Sequence, residues 1–103
     1  MSRISIVLPV LNEEPHIVAC LGILQPPRGQ ECELIVADGG SRDRTAALAE
    51  PLADRVIVAP RGRAAQMNAG ARLAGGEILW FLHADSLPPP EAAALIRAAL
   101  ADP

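Results

Sequence analysis

Apolar runs and helix-like stretches alternate along this chain. "RISIVLP" is rich in β-branched residues, ends at Pro9, and predicts a first strand over residues 3–9. In "NEEPHIVACLGIL", Ile17, Cys20, Leu21 and Leu24 fall at i, i+3, i+4 and i+7, one stripe of a helix. Asn12 is a candidate cap there, Glu13 and Glu14 suit a positive helix N-terminus, and Pro15 is tolerated in a first turn. "QPPRGQ" reads as a loop and "CELIVA" as a second buried strand. "DGGSRDRTAALAE" is a glycine turn entering a helix capped by Asp43 and ended near Pro51, and "RVIVAP" is a third strand. "RGRAAQMNAGARLAGG" predicts a helix opened by Gly62 and closed by Gly75 and Gly76, with Ala64, Met67, Ala71 and Ala74 as a narrow stripe packed on a sheet. "EILWFL" is a fourth strand, and Ala92, Leu95, Ile96, Ala99 and Leu100 line one face of a last helix.

The order is therefore β-α-β-α-β-α-β-α, with strands that are continuous apolar runs rather than alternating ones. Such runs suit strands buried on both faces, so the expected fold class is α/β: a doubly wound, mostly parallel, Rossmann-like sheet with helices on both faces. No internal repeat or low-complexity tract breaks the pattern. A chain of 103 residues holds one domain with a modest core and is too short for two, so residues 1–103 are taken as a single domain.

Composition removes several classes of function. The net charge of −3 argues against a dedicated nucleic-acid binder, whose surface is usually basic. All nine basic residues are arginine, which with the excess of alanine and proline reflects composition rather than function. No apolar run approaches the length of a membrane span, and the N-terminus lacks a cleavage site of small residues, so no signal peptide is read. Cys20 and Cys32 form no Cys-x-x-Cys pair and have no histidine at zinc-finger spacing, so they read as small core residues of a reduced, cytoplasmic protein. The dinucleotide fingerprint and the Walker phosphate loop are both absent, which weakens hydride-transfer and ATPase readings.

Open parallel sheets bind ligands outside the carboxyl ends of their strands, and here each such end carries polar, glycine or proline residues. The four loops are "PVLNEE", "ADGGSRD", "PRGRAAQMN" and "HADS". Asp38 can accept a hydrogen bond from a base imide or a ribose hydroxyl, or it can simply open an Asx-turn with Gly39. Gly39 and Gly40 let a ligand lie against bare backbone. Arg61 and Arg63, near a helix N-terminus, can neutralise a phosphate; as isolated residues they read by default as solvated arginines. Asp85 can hold a hard divalent cation that draws its other ligands from water and a diphosphate, or it can cap a turn before "LPPP". His83 reads first as a neutral side chain hydrogen-bonded at a strand end, and His16 as an exposed helix residue.

Taken together, "SIVLPVLNEE", "ELIVADGGSRDRT", "RGRAAQMNAG" and "GGEILWFLHADS" resemble, in order and spacing, the N-terminal, nucleotide-sugar-binding half of the family 2 glycosyltransferases with the GT-A fold. The "LHADS" run is similar to the selenodomain-associated transferases of bacteria. The resemblance implies transfer of a sugar from a UDP- or GDP-type donor to an unknown acceptor, assisted by Mg²⁺ or Mn²⁺. It implies that the loop from Pro9 to Glu13 cradles the nucleoside, with Leu11 where the family often stacks an aromatic residue on the base. Asp38 matches the first aspartate of the family's Asp-Asp-Gly-Ser, the second having become Gly39, and Arg63 matches a basic residue near the donor. The family's Asp-x-Asp is "HAD" here, so Asp85 is the implied metal ligand and His83 replaces a carboxylate.

An inverting transfer also needs a general base, which in the family lies after the Asp-x-Asp loop. Neither Glu91 nor Asp102 is a candidate, so the base is expected beyond Pro103 and this chain alone is expected to be inactive. A donor half-domain would also expose apolar surface and tend to self-associate. Two alternatives are a nucleotidyltransferase-like enzyme, which would usually carry a glycine-rich first loop with a basic signature, and a non-catalytic nucleotide-binding module.

Overall fold

The computed structural model describes residues 3–29 and 31–101, so Asp102 lies outside the described residues. Its elements run β1 (Ile4–Val10), α1 (Glu14–Ile23), β2 (Cys32–Asp38), α2 (Thr45–Ala49), a 3-10 turn (Glu50–Leu52), β3 (Arg55–Val58), α3 (Arg63–Leu73), β4 (Ile78–Phe81) and α4 (Ala92–Ala101). The four strands form a parallel sheet in the order β3-β2-β1-β4. Helices cover both faces, as the alternating pattern predicts.

Register divides the side chains between the faces. Ile4 pairs with Cys32 and with Ile78, so Ile4, Ile6, Leu8 and Val10 share a face with Cys32, Leu34 and Val36 and with Ile78 and Trp80. That face forms the main core, packed by Ile17, Cys20 and Leu21 of α1 and Leu24 just after it, Ala49 of α2 and Ala93 of α4. Burial pushes the thiols of both Cys20 and Cys32 up to about 11, so both are inert core groups at neutral pH. The other face carries Ser5, Val7, Ile35 and Ala37 and is covered by α3. The approach there is close: a Cβ on Gly70 would fall 2.4 Å from Val7 Cγ1.

Three expectations need correction. Burial on both faces holds for the central β1 and β2; in β4 only the face of Ile78 and Trp80 is covered, leaving Leu79 and Phe81 exposed, and in β3 Val56 and Ile57 are half-buried while Arg55 and Val58 at its ends are exposed. In α3 the buried positions are Gln66 and Gly70 while Ala64 is exposed, because the helix settles on its glycine rather than on its alanine stripe. In α4 it is Ala93, Ile96 and Arg97 that turn inward, and Leu95, Ala99 and Leu100 face out. That helix is apolar nearly all round, so its sequence has no polar face to fix its rotation.

Candidate functional site

The carboxyl ends of the strands meet in an open cleft of about 140 Å³ lined by Pro9, Val10, Leu11, Glu13, Arg63, Gln66 and His83. Five of the seven residues singled out from the sequence are therefore brought together: Pro9, Leu11, Glu13, Arg63 and His83. The register explains how His83 reaches Pro9. Phe81 pairs with Val7 and the Leu82 N–H donates to Val7 O at 3.0 Å, so the chain leaves β4 beside the last turn of β1. The volume is below the several hundred Å³ that enclose a ligand of drug size, so this cleft can grip one end of a longer ligand rather than surround it.

Asp38 and Asp85 do not line the cleft. Asp38 pairs with Val10 and shares the α1/α2 face, which turns it away from the α3 side; it is only 5% exposed. Its Oδ1 accepts the Ser41 N–H at 3.0 Å and the Ser41 hydroxyl at 2.6 Å, so the turn it closes is with Ser41, not Gly39. Oδ2 has no partner among the described residues and, since no buried side-chain oxygen there lacks one, it reaches solvent. Asp85 lies just past the cleft with its Oδ1 at 2.6 Å from His83 Nδ1. Both side chains are open to water, 42% exposed for His83 and 56% for Asp85.

The loops after β1 and β2 are laced together. The Asn12 N–H donates to Ser41 Oγ and Asn12 Oδ1 accepts the Arg42 N–H, each at 2.8 Å. The Glu13 N–H donates to Thr45 Oγ1 at 2.8 Å, the Glu14 N–H to Asp43 Oδ2 at 3.2 Å, and Glu14 Oε1 accepts the Arg44 N–H at 3.0 Å. Asn12 therefore does not cap α1; it takes a left-handed φ of 53°, a conformation asparagine tolerates, and joins the loops instead. The cap position of α2 is Arg44 rather than Asp43, which stands one residue earlier and accepts the Thr45 N–H on its Oδ1 at 3.0 Å. The Thr45 hydroxyl bond and the backbone bonds around Asp43 hold that carboxyl below its ordinary value, outweighing the opposing effect of desolvation.

Sequence reasoning missed Gln66. It is 4% exposed, and its Nε2 donates to Val10 O at 2.8 Å and to Ala37 O at 2.9 Å, while its Oε1 accepts the Gly62 N–H at 3.1 Å. A glutamine inside a helix reads as surface. The available signal was Gly70, since an interior helical glycine marks a close-packed face and Gln66 stands four residues before it on that face.

Among the described residues no three histidine, cysteine or acidic side chains gather as a metal cage. Asp85 offers one exposed carboxylate, so a hard divalent ion held there would draw its other ligands from water and phosphate oxygens.

The chain matches the sequence profile of glycosyl transferase family 2 over residues 5–103. It belongs to that family. It is 33% identical over 104 residues to an undecaprenyl-phosphate 4-deoxy-4-formamido-L-arabinose transferase of Pseudomonas aeruginosa, covering 85% of this chain and 29% of that protein. It is 36% identical over 88 residues to a PGL/p-HBAD biosynthesis glycosyltransferase of Mycobacterium bovis, covering 79% of this chain and 34% of the relative. This family member thus spans about a third of the length of the curated relatives it matches. Among solved structures it superposes with a TM-score of 0.85 and 28% identity on glucosyl-3-phosphoglycerate synthase from Mycobacterium tuberculosis in complex with Mn²⁺, UDP and glucosyl-3-phosphoglycerate, covering 96% of this chain and 39% of that one. A mannosyltransferase from Pyrobaculum calidifontis in complex with GDP-mannose and Mn²⁺ gives a TM-score of 0.84 at 29% identity, covering 99% and 33% of the two chains. Family membership favours a glycosyltransferase over the nucleotidyltransferase-like alternative. No helix among the described residues is long and apolar enough to cross a membrane.

Proposed function

We propose that this chain binds the donor of an inverting glycosyl transfer, a UDP- or GDP-sugar, at the carboxyl-end cleft. The observation that carries the reading is the convergence of Pro9, Leu11, Glu13, Arg63 and His83 on one cleft at the strand ends of a family 2 glycosyltransferase fold. In this reading the loop from Pro9 to Glu13 holds the nucleoside, and the solvent-facing Oδ2 of Asp38 accepts from the base. Arg63, in the first turn of α3, neutralises diphosphate oxygens with help from that helix's positive end. Asp85, with His83 beside it, faces the diphosphate and ligates Mg²⁺ or Mn²⁺. The bound ion would offset the negative charge that develops on the leaving diphosphate.

Glu13 is the one carboxylate among the described residues that lines the cleft, and we place it at the nucleoside end. We assign the general base and the acceptor site to residues outside this cleft, and the 103-residue chain alone is expected to transfer no sugar. A cytoplasmic site of action and membership of the selenodomain-associated subgroup complete the proposal. So does self-association through the β4 edge, where Leu79 and Phe81 are exposed.

Titration calorimetry of the chain with UDP and with GDP, each with and without Mn²⁺, tests the donor site. Binding of one nucleotide that strengthens with Mn²⁺ is expected; no heat from either nucleotide in the presence of Mn²⁺ sinks the reading. A longer chain carrying the following sequence separates enzyme from non-catalytic module, because only the enzyme releases nucleotide diphosphate when given donor sugar and acceptor.

A further inference from the structure

The Gln66 amide makes three hydrogen bonds, donating two through Nε2 and accepting one at Oε1, and they end on the last residues of β1 and β2 and on the loop before α3. One Nε2 hydrogen reaches Val10 O, where β1 passes into the loop bearing Leu11 and Glu13. The other reaches Ala37 O, one residue before Asp38. Oε1 takes the N–H of Gly62, which precedes Arg63. Reversing the amide would set its oxygen against two carbonyls, so the orientation is fixed by the network. One buried side chain thus ties together the three loops that carry Leu11, Glu13, Asp38 and Arg63.

Gly39 bears on the same point. It has no left-handed φ, so its backbone does not call for glycine. A Cβ placed on it would instead meet Gln66, at 2.6 Å from Oε1, 2.8 Å from Cδ and 3.1 Å from Nε2, and nothing else ranks among its three nearest contacts. A free side-chain end could swing aside; this one is held by three bonds. The residue after Asp38 is therefore glycine because Gln66 fills the space of its side chain.

We propose that Gln66 is a positioning residue of the donor site, setting the spacing of the β1, β2 and β3 loops around the nucleotide, and that Gly39 and Gln66 act as a coupled pair. The proposal rests on the donor reading above. It makes Gln66 a residue that touches no reacting atom yet decides how well the preformed loops fit the nucleotide.

The test is nucleotide binding by the 103-residue chain with Mn²⁺ present, measured by calorimetry at a temperature where circular dichroism shows each variant folded. Gln66→Met keeps the side chain's length and removes all three bonds; its Kd for the nucleotide that binds the wild type is expected to rise at least about tenfold. A lower thermal midpoint with a Kd within twofold of wild type would show a purely structural role and overturn the proposal. Gly39→Ala supplies a second route that leaves Gln66 in place, which matters if Gln66→Met does not fold. It is expected to raise Kd at least fivefold alone, and less than twofold when added to Gln66→Ala. Equal effects in the two backgrounds, or no effect of Gly39→Ala in either, overturn the coupling. A wild type that binds neither UDP nor GDP removes the donor reading and this proposal with it; a wild type that binds, with variants that bind equally well, removes this proposal alone.

Discussion

The two sides of the cleft are built differently. On the β1/β2 side, five hydrogen bonds join the two loops, a sixth and seventh fix Asp38 to Ser41, and the strands behind them are buried except at the half-buried Pro9 and Glu33. On the β4 side the strand is an edge, alternately exposed, and it delivers only the local contacts between His83 and Asp85, with both side chains open to water. Preformed loops spare a ligand the cost of ordering them, whereas an exposed carboxylate gains strength mainly when a cation and a phosphate arrive together. The nucleoside side is thus organised by the fold, and the diphosphate side is completed by what binds.

The largest expected effect separates the sides by their response to metal. Asp85→Ala should remove most of the gain in nucleotide affinity that Mn²⁺ confers, about 100-fold or ~2.8 kcal/mol, and leave the unfolding free energy within ~0.5 kcal/mol of wild type. Calorimetry with and without Mn²⁺, together with urea unfolding, measures both quantities. A variant that bound equally well with metal would move the ligand away from Asp85. One that unfolded readily would break the contrast itself.

Next is the lacing. Asn12→Ala removes the acceptor of the Arg42 N–H and forces alanine into a left-handed conformation, so a loss of about 2 kcal/mol in urea unfolding is expected. Nucleotide affinity should fall severalfold whether or not metal is present, the opposite signature to Asp85→Ala. His83→Asp comes third. It sets a second carboxylate where a histidine now contacts Asp85, so the pair repels without metal and shares the ion with it. The Mn²⁺ dependence of binding should steepen by about tenfold, ~1.4 kcal/mol, read from the same titrations.

The same division runs through what was legible in the sequence. Strand order, helix order and the gathering of rim residues follow from periodicity, because apolar runs and loop punctuation are local signals. The lacing of Asn12 to Ser41 and Arg42 joins positions about thirty residues apart, and the Gln66–Val10 bond spans 56. No spacing in the chain encodes such pairs; they exist because the parallel register sets the ends of β1 and β2 side by side beneath the start of α3. The inward faces of α3 and α4 were misread for a related reason. Gly70 against Val7, and not the count of apolar residues, decides how α3 sits. The edge exposure of β3 and β4 depends on sheet order, which apolar content does not reveal.

The smallest predicted effect asks whether β4 is loose along its whole length or only where it meets the cleft. At the opposite end of the sheet the Ser5 hydroxyl donates to Glu33 Oε2 at 2.5 Å, the Gly75 N–H reaches the same oxygen at 2.6 Å, and the Gly76 N–H donates to Ser5 Oγ at 2.8 Å. Gly76 lies so close to Arg3 O and Ser5, 2.5 and 2.7 Å from a notional Cβ, that the chain entering β4 is fastened to β1. Partial burial pushes the Glu33 carboxyl up, but the Ser5 hydroxyl, the Gly75 amide, the charge of Arg3 and the Gly76 amide together hold it below its ordinary value. A carboxyl depressed in the folded state stabilises the fold above its unfolded pKa, about 4.3 for glutamate, and that contribution disappears as pH falls through the lower folded value. Glu33→Gln should therefore flatten the acid limb of stability below about pH 4.3 and leave nucleotide affinity at neutral pH unchanged. Unfolding midpoints taken from pH 7 down to 3 measure the limb. If the substitution weakened metal-dependent binding as well, the fastening at the start of β4 would reach His83 and Asp85 through the strand, and the open side of the cleft would be held from behind after all.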